Sequence, residues 1–198
     1  MIGTVVACLC SYLVGSIPNG LLIGKTIWGI DLREHGSHNI GATNAWRTIG
    51  KTAGFTIFLL DLLKGVLGVW LGMRFGGTSL ACVLGGIFAI IGHSCSAFLK
   101  FKGGKGVATG LGVIAMLMPL PTAIVFAVWF IIVKATGYVS LGSIIAAALV
   151  PVLAWWFDLP SEVIGFGILA AAFIIIRHRE NISRLLAGTE SKIKAAKH

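Results

Sequence analysis

Residues 53–73 read AGFTIFLLDLLKGVLGVWLGM. Only Asp61 and Lys64 are charged in this stretch, and an α-helix needs about 20 mainly apolar residues to cross the roughly 30 Å hydrocarbon core of a bilayer. Comparable apolar segments flank it on both sides and fall at 2–24, 78–98, 106–118, 120–135, 139–157 and 161–176. The pattern predicts an all-α integral membrane protein with about seven transmembrane helices, of which the fourth and fifth are short.

The composition of the whole chain agrees with a lipid environment. Of the 198 residues, 57% are hydrophobic and only 12% are charged, and the mean hydropathy is +0.94. So few charges could not cover the surface of a soluble globule of this size. The net charge of +9 would suggest nucleic acid binding in a soluble protein, but here the basic residues cluster between apolar segments. We therefore expect one polytopic membrane domain over residues 1–198 and no nucleic acid partner.

The cysteines and the N-terminus exclude two other interpretations. The cysteines lie in apolar segments without the spacing of zinc ligands, so we expect no disulfide, no metal and no cofactor. The first apolar segment lacks a positively charged leader and a clear small-residue cleavage site, which favours a retained span over a signal peptide. The four cysteines are Cys8, Cys10, Cys82 and Cys95.

The basic residues predict the orientation of the chain. With the N-terminus outside, 14 of the 16 Lys and Arg residues fall on the inner side. Positively charged loops stay in the cytoplasm, so we expect the N-terminus outside and the C-terminus inside. Segments 106–118 and 120–135 could be tilted spans or a re-entrant hairpin, and neither choice moves the later loops to the other side. The tail is predicted to form a short helix to about Gly188, followed by a basic, frayed end.

A first polar motif, GSHNIGATN at residues 36–44, is followed by Arg47 and Lys51. Glycines at both ends allow tight bends, and backbone N–H groups beside hydroxyls and an arginine fork suit a phosphate. The alternative is a polar turn that caps the next helix, with Thr43 or Asn44 as the N-cap.

A second motif comprises Gly92, His93 and Ser94 and then FLKFKGGKGVAT at residues 98–109. Lys105 stands where an apolar segment begins, so an ammonium and a helix N-terminus converge there, as in an anion site. The spacing is not that of a nucleotide P-loop. The alternative is that the lysines anchor the inner interface and the glycines form a hinge.

A third motif, RHRENI at residues 177–182, follows the last apolar segment. His178 and Asn181 are three residues apart and so share one helix face, where they could act together. The alternative is a structural role, in which Arg177 and Arg179 reach the interface and Glu180 pairs with one of them. Within the second segment, Asp61 and Lys64 either neutralise each other or form the floor of a polar substrate pocket.

These motifs, together with FLLDLLKG at residues 58–65, resemble in order and spacing the signature motifs of the PlsY family of bacterial acylphosphate:glycerol-3-phosphate acyltransferases. The resemblance implies transfer of a fatty acyl group from acyl phosphate to the sn-1 hydroxyl of sn-glycerol 3-phosphate. The products would be lysophosphatidic acid and phosphate, in the first step of bacterial phospholipid synthesis at the inner membrane. The family often has glycine where His38 stands, which could alter the packing of this loop.

Carried over by motif, the resemblance implies Ser37, His178 and Asn181 as the catalytic residues. It implies a substrate-binding set of Asn39, Thr43, Asn44, Arg47, His93, Lys102, Gly103, Gly104, Lys105, Gly106 and Thr109. The partners would be the two substrates and membrane lipid, and we expect a monomer whose active site faces the cytoplasm.

The expected mechanism depends on positioning, because an acyl phosphate is already activated. Arg47 and Lys105 would hold the phosphates of the two substrates, and the catalytic residues would orient the attacking hydroxyl and the carbonyl. A substrate phosphate could accept the proton; alternatively Ser37 is acylated or His178 acts as the base. The His-x4-Asp pair of the soluble-donor acyltransferases is absent. Two other function classes remain open, an anion transporter and a lipid-binding scaffold.

Overall fold

The computed structural model describes residues 1–193, and over that range the chain forms helices and turns but no strand. The prediction of an all-α protein is confirmed. The α-helices are α1 (Ile2–Ser16), α2 (Asn19–Trp28), α3 (Ala42–Thr48), α4 (Lys51–Leu71), α5 (Ser79–Ser94), α6 (Val107–Leu117), α7 (Pro119–Thr136), α8 (Val139–Trp156), α9 (Ser161–Arg177) and α10 (Arg179–Leu186).

Five helical runs are long and apolar enough to cross a bilayer. They are α1 with α2, α4 with the π-helical turn Gly72–Gly76, α5 with the 3-10 turn Ala97–Leu99, α7, and α8. A sixth is possible if α9 and α10, which are bent by 59° to each other, form one span. The expectation that 120–135 is short is wrong, because α7 has 18 residues. In contrast, α6 has 11 residues, which at about 1.5 Å each covers about half of the hydrocarbon core.

The described chain divides into two compact units. The first contains Met1–Val113 together with Ile193, and the second contains Ile114–Lys192. In the first unit α1 packs on α5, and α4 packs on the start of α6. The contact is backbone to backbone at Gly65, where an added Cβ would lie 2.0 Å from the carbonyl oxygen of Thr109. In the second unit α8 packs against both α7 and α9.

The first apolar segment is one candidate span, Ile2–Trp28, as expected, but its helix is broken between α1 and α2. Pro18 has no N–H group to donate, and α1 ends at Ser16. Water is absent from the bilayer core, so open carbonyl groups there need protein donors. Ser96 Oγ donates to the Ser16 carbonyl at 2.5 Å, and Lys64 Nζ donates to the Ile17 carbonyl. Lys64 therefore has a structural role, because its ammonium group binds a backbone carbonyl at the helix break.

We expect Gly65→Ala to reduce the free energy of unfolding by about 1–3 kcal/mol, because the added methyl group overpacks the contact between α4 and α6. The matched control is Gly165→Ala in α9, where an added Cβ meets nothing within 4 Å. The control should be as stable as the unchanged protein or slightly more stable, since alanine favours helix. Thermal unfolding of the purified proteins in detergent measures both. Equal melting temperatures for the two variants would contradict this packing.

Candidate active site

The loop between α2 and α3 is organised around one buried side chain, that of Asn44. Its Nδ2 donates to the carbonyl groups of Leu32 at 3.0 Å, His35 at 3.0 Å and Asn39 at 2.8 Å. Its Oδ1 accepts the N–H of Ser37 at 3.0 Å. Asn44 is 2% exposed. Its amide is therefore used to hold the loop, and this side chain fixes where Ser37 lies.

Ser37 itself is exposed, and its hydroxyl makes no hydrogen bond with any residue between 1 and 193. The preceding Gly36 has a φ of +60°, and a Cβ there would lie 2.3 Å from Asn44 Oδ1. Only glycine fits that position without strain. The loop thus presents a serine hydroxyl on a backbone that Asn44 and Gly36 define.

His38 is the position at which the family resemblance is imperfect. Its φ is +55°, a left-handed conformation that glycine adopts freely and most other residues avoid. His38 Nδ1 lies 2.9 Å from the carbonyl oxygen of Arg33, and this contact holds the histidine in the conformation that a glycine would adopt unaided. A histidine is therefore accommodated locally in this left-handed position.

An ion-pair cluster that the sequence did not indicate closes the same loop. Asp31 lies 2.6 Å from Arg33 and 2.9 Å from Lys25. The hydrogen bond from Arg33 holds the pKa of Asp31 well below its usual range, although burial of the carboxyl group opposes this. Asp31 is thus anionic at neutral pH and ties the loop to the end of α2.

The short helix α3 carries Thr43 and Arg47. The alternative in which Thr43 or Asn44 caps this helix is wrong, because α3 begins at Ala42 and its N-cap is Gly41. Arg47 is half-buried in the last turn. The neighbouring Trp46 packs against α4, where a Cβ on Gly54 would lie 2.6 Å from the Trp46 Cβ. The remaining member of this set, Asn39, accepts the N–H of Gly41 at 2.9 Å.

The glycine-rich stretch after α5 folds back on the end of that helix. The N–H of Gly103 donates to the Ser94 carbonyl at 3.0 Å, and the N–H of Gly104 donates to the His93 carbonyl at 3.1 Å. A Cβ on Gly103 would lie 2.1 Å from the His93 carbonyl oxygen, and one on Gly104 would lie 2.2 Å from His93 Nε2. The N–H groups of these two glycines are thus used within the protein, and close packing explains why both residues are glycine.

The start of α6 keeps the features expected of an anion site. Gly106, with a φ of +82°, precedes the helix, and its carbonyl accepts the N–H of Gly110 at 2.7 Å. Lys105 is half-buried just before the first turn, while Lys102 is exposed. Thr109 is fully buried in the first turn, and its hydroxyl has no hydrogen-bond partner in the described part of the chain. A cation and the positive end of a helix dipole thus coincide at Lys105.

The two polar motifs of the first unit, residues 36–47 and 92–109, both contact α4. Trp46 contacts α4 at Gly54, and His93 contacts it at Asp61, where Nδ1 lies 3.7 Å from Oδ1. These two anchors are seven residues apart, about 10 Å along the helix axis. The predicted neutralisation of Asp61 by Lys64 is confirmed, with Nζ 2.9 Å from Oδ1.

In the second unit, His178 occupies the bend between α9 and α10. It is 3% exposed, and its Nδ1 lies 2.8 Å from the Ile174 carbonyl oxygen. A carbonyl oxygen only accepts hydrogen bonds, so Nδ1 carries the hydrogen. In the neutral ring Nε2 is then the basic nitrogen. The bend therefore fixes both the orientation and the tautomer of this histidine.

Asn181 is held by a carboxylate that sequence reasoning missed. Glu190, in the tail that was expected to be frayed, accepts hydrogen bonds from Ser140 at 2.9 Å, Asn181 at 2.7 Å and Arg184 at 2.7 Å. Burial raises the pKa of Glu190, but these hydrogen bonds outweigh it and the net shift is downward. Lys192, two residues further along the tail, also contacts the start of α8, because its ammonium lies 5.5 Å from the centre of the Tyr138 ring.

Glu180 is exposed at the start of α10. Glu180 forms no ion pair with any residue between 1 and 193, so its predicted pairing with Arg177 or Arg179 is wrong. The four cysteines are free thiols, and no group of three or more His, Cys, Asp or Glu residues could hold a metal within the described range. Lys194 and Lys197, which contributed to the predicted inner charge, lie outside the described residues.

The apolar helices define a multi-pass integral membrane protein. Residues 5–188 match the family described as glycerol-3-phosphate acyltransferase, and the chain belongs to this family. It is therefore an acyltransferase enzyme.

Individual relatives agree over nearly the whole chain. The glycerol-3-phosphate acyltransferase of Trichlorobacter lovleyi is 48% identical over 93% of this chain and 95% of its own. Glycerol-3-phosphate acyltransferase 2 of Moorella thermoacetica is 46% identical over 94% and 96%. The crystal structure of PlsY (YgiH), an integral membrane glycerol 3-phosphate acyltransferase, in its glycerol 3-phosphate form, is 40% identical over 96% of both chains with a TM-score of 0.91. Its lysophosphatidic acid form gives a TM-score of 0.88 at 39% identity, over 96% of this chain and 94% of that chain.

We expect Glu190→Gln to reduce the free energy of unfolding by about 1.5–3 kcal/mol, the range for hydrogen bonds to a charged group. The pKa of Glu190 is lower when folded than its ordinary value of 4.5. Its stabilisation is therefore fully present above about pH 4.5 and is lost as the pH falls through the folded pKa. Melting temperatures of the unchanged protein and the variant should differ at pH 7 and converge in acid. The control is Glu180→Gln, on the exposed face of α10, which should leave the melting temperature unchanged at both pH values. A difference between Glu190→Gln and the unchanged protein that does not depend on pH would contradict the assignment.

Proposed function

We propose that the chain transfers a fatty acyl group from acyl phosphate to the sn-1 hydroxyl of glycerol 3-phosphate, releasing lysophosphatidic acid and phosphate. The observation that carries this proposal is the likeness to a solved acyltransferase in its glycerol 3-phosphate form, over 96% of both chains. The family match over residues 5–188 gives the same acceptor. Neither an anion transporter nor a scaffold is favoured by these relatives. We propose one enzyme domain over the whole chain, working as a monomer in lipid.

We propose acyl phosphate as the donor because the family resemblance implies it, and the chemistry of the site is compatible with that donor. An acyl phosphate carries its own leaving group, so the enzyme must mainly bring two anionic reactants together and neutralise their charge. Lys105 at the start of α6 and Arg47 in α3 supply cations for two phosphates. We assign the substrate phosphates to these two residues, with Lys102, Gly106 and Thr109 around the first of them.

The remaining residues differ in role. The exposed hydroxyl of Ser37 is placed to orient the attacking hydroxyl or to become acylated, whereas the buried Asn44 positions the loop and does not touch substrate. The tautomer of His178 leaves Nε2 as the basic nitrogen, which supports its assignment as a proton acceptor beside the alternative of a substrate phosphate. Asn181 would orient the acyl carbonyl or the acceptor.

We also propose an orientation, with the N-terminus outside, the C-terminus in the cytoplasm, and the site facing the cytoplasm at the bacterial inner membrane. The short α6 is decisive. If α6 did not carry the chain to the other side, Arg177, Arg179 and Arg184 would lie outside, and Asp158 and Glu162 would lie inside. That arrangement opposes the positive-inside rule. We therefore count α6 as a crossing, which restores the expected seven.

We expect a reporter fused after the C-terminus to be cytoplasmic: green fluorescent protein should fluoresce there and alkaline phosphatase should be inactive. A reporter inserted after Asp158, in the turn between α8 and α9, should give the opposite result. An insertion after Gly77, before α5, is the control, because it precedes α6 and should be outside in either topology. Exchanged results at Asp158 and the C-terminus, with the control unchanged, would show that α6 does not cross.

We expect Lys105→Ala to lower turnover by at least about a hundredfold while the protein stays folded, since it removes a cation aimed at a substrate phosphate. The measurement is phosphate release by purified protein given palmitoyl phosphate and glycerol 3-phosphate, together with the melting temperature. Lys51→Ala removes an exposed cation at the start of α4 and serves as the control.

The same assay tests the function itself. Turnover by the unchanged protein, with lysophosphatidic acid as the product, supports the proposal. Flux of glycerol 3-phosphate into liposomes without an acyl donor, and no phosphate release, would favour a transporter. Neither flux nor product would favour a scaffold. Near-normal turnover of Lys105→Ala would contradict the role of Lys105 in substrate binding but would leave the proposed reaction unaffected.

A further inference from the structure

A buried polar cluster connects the break between α1 and α2 with the stretch that precedes Lys105. One oxygen of Asp61, Oδ1, lies 2.9 Å from Lys64 Nζ, 3.2 Å from Asn19 Nδ2 and 3.7 Å from His93 Nδ1. The side chains of Asp61, Lys64 and His93 are at most 5% exposed. The cluster draws on α2, α4 and α5.

The opposite edge of the His93 ring faces the glycine-rich stretch. A Cβ on Gly104 would lie 2.2 Å from His93 Nε2, and the Gly104 N–H donates to the His93 carbonyl at 3.1 Å. The ring thus lies between the Asp61 carboxylate, whose Oδ1 is within ion-pair reach of Nδ1 at 3.7 Å but beyond hydrogen-bond distance, and the backbone of Gly104 at Nε2. Rotation of the ring would displace the residue next to Lys105.

We propose that Asp61 is a positioning residue for acyl transfer, which orients the His93 ring so that the ring supports Gly104 and sets the place of Lys105. The inference rests on the proposed function, in which Lys105 holds a substrate phosphate. Asp61 does not touch substrate in this scheme. It acts through His93 alone.

A purely structural role does not account for the whole cluster. Lys64 donates to the Ile17 carbonyl, and a nearby carboxylate neutralises it. Neither task needs a histidine. Buried charges in a membrane helix are costly and tend to serve function, and a fixed carboxylate 3.7 Å from an imidazole nitrogen acts on the ring electrostatically in a low-dielectric site. The functional role explains why His93 faces the same oxygen of Asp61 as Lys64 does.

The test is the double variant Asp61→Asn with Lys64→Gln. It removes both charges together, so neither is left buried alone, and the new glutamine keeps an amide donor for the Ile17 carbonyl. We expect a melting temperature close to that of the unchanged protein. The KM of one phosphorylated substrate should rise about tenfold, within the coupling range of groups in one network, with little change in kcat. The same substrate should show a raised KM in Lys105→Arg.

Two further variants make the outcome decisive. His93→Asn keeps a donor near Asp61 but loses the atoms beneath Gly104, so it should raise the same KM, and adding it to the double variant should cause no further rise. Arg74→Gln, an exposed cation in the run Lys51–Gly76, is the control and should leave both KM values unchanged.

Unchanged KM values in the double variant, or a full additional rise on adding His93→Asn, would overturn the inference. If the double variant is not recovered folded, His93→Asn decides alone, and a normal KM for both substrates overturns the inference. Absence of turnover by the unchanged protein would instead overturn the proposed function, so the two failures are distinguishable.

Discussion

The helix break at Pro18 is the feature on which the first unit depends. A proline in the middle of an apolar segment removes a donor, and the bilayer core supplies no water to replace it. The Ile17 N–H donates to the Val14 carbonyl, Ser96 donates to the Ser16 carbonyl, and the Ile17 carbonyl accepts from both the Asn19 N–H and Lys64. A lysine at this depth then requires an anion. The break is therefore met by a charged pair on α4 and by polar residues that follow α5.

That pair brings the backbone constraint to the candidate site. Asp61, one helical turn before Lys64, meets both Lys64 and His93, and His93 in turn receives the glycine-rich stretch at the end of α5. Small residues make the approach possible, since backbone contacts replace side-chain packing wherever glycines face another helix. The same chemistry that closes the broken helix thus supports the loop before Lys105.

The sequence predicted what local composition determines. Hydropathy reports transfer to lipid residue by residue, so the helical spans and the basic loops could be read directly. Features that depend on contacts between residues distant in the chain could not be predicted from the sequence. The amides of Gly103 and Gly104 look open in sequence but are used by α5. Glu190 lies in a basic tail, and its burial against Ser140 and Asn181 depends on how the tail folds back over the start of α8.

Asp61 and Glu190 solve the same physical problem in the two units. Each is a buried carboxylate neutralised by one cation, Lys64 or Arg184. Each has acceptor capacity left over, because a carboxylate offers about four lone-pair directions and one cation does not fill them. The remaining capacity of Glu190 goes to Asn181 and Ser140, and that of Asp61 goes to Asn19, with His93 Nδ1 3.7 Å away. A neutralised carboxylate can orient such a group while it adds no net charge to its own surroundings, so each unit keeps a directional acceptor without an unpaired buried charge.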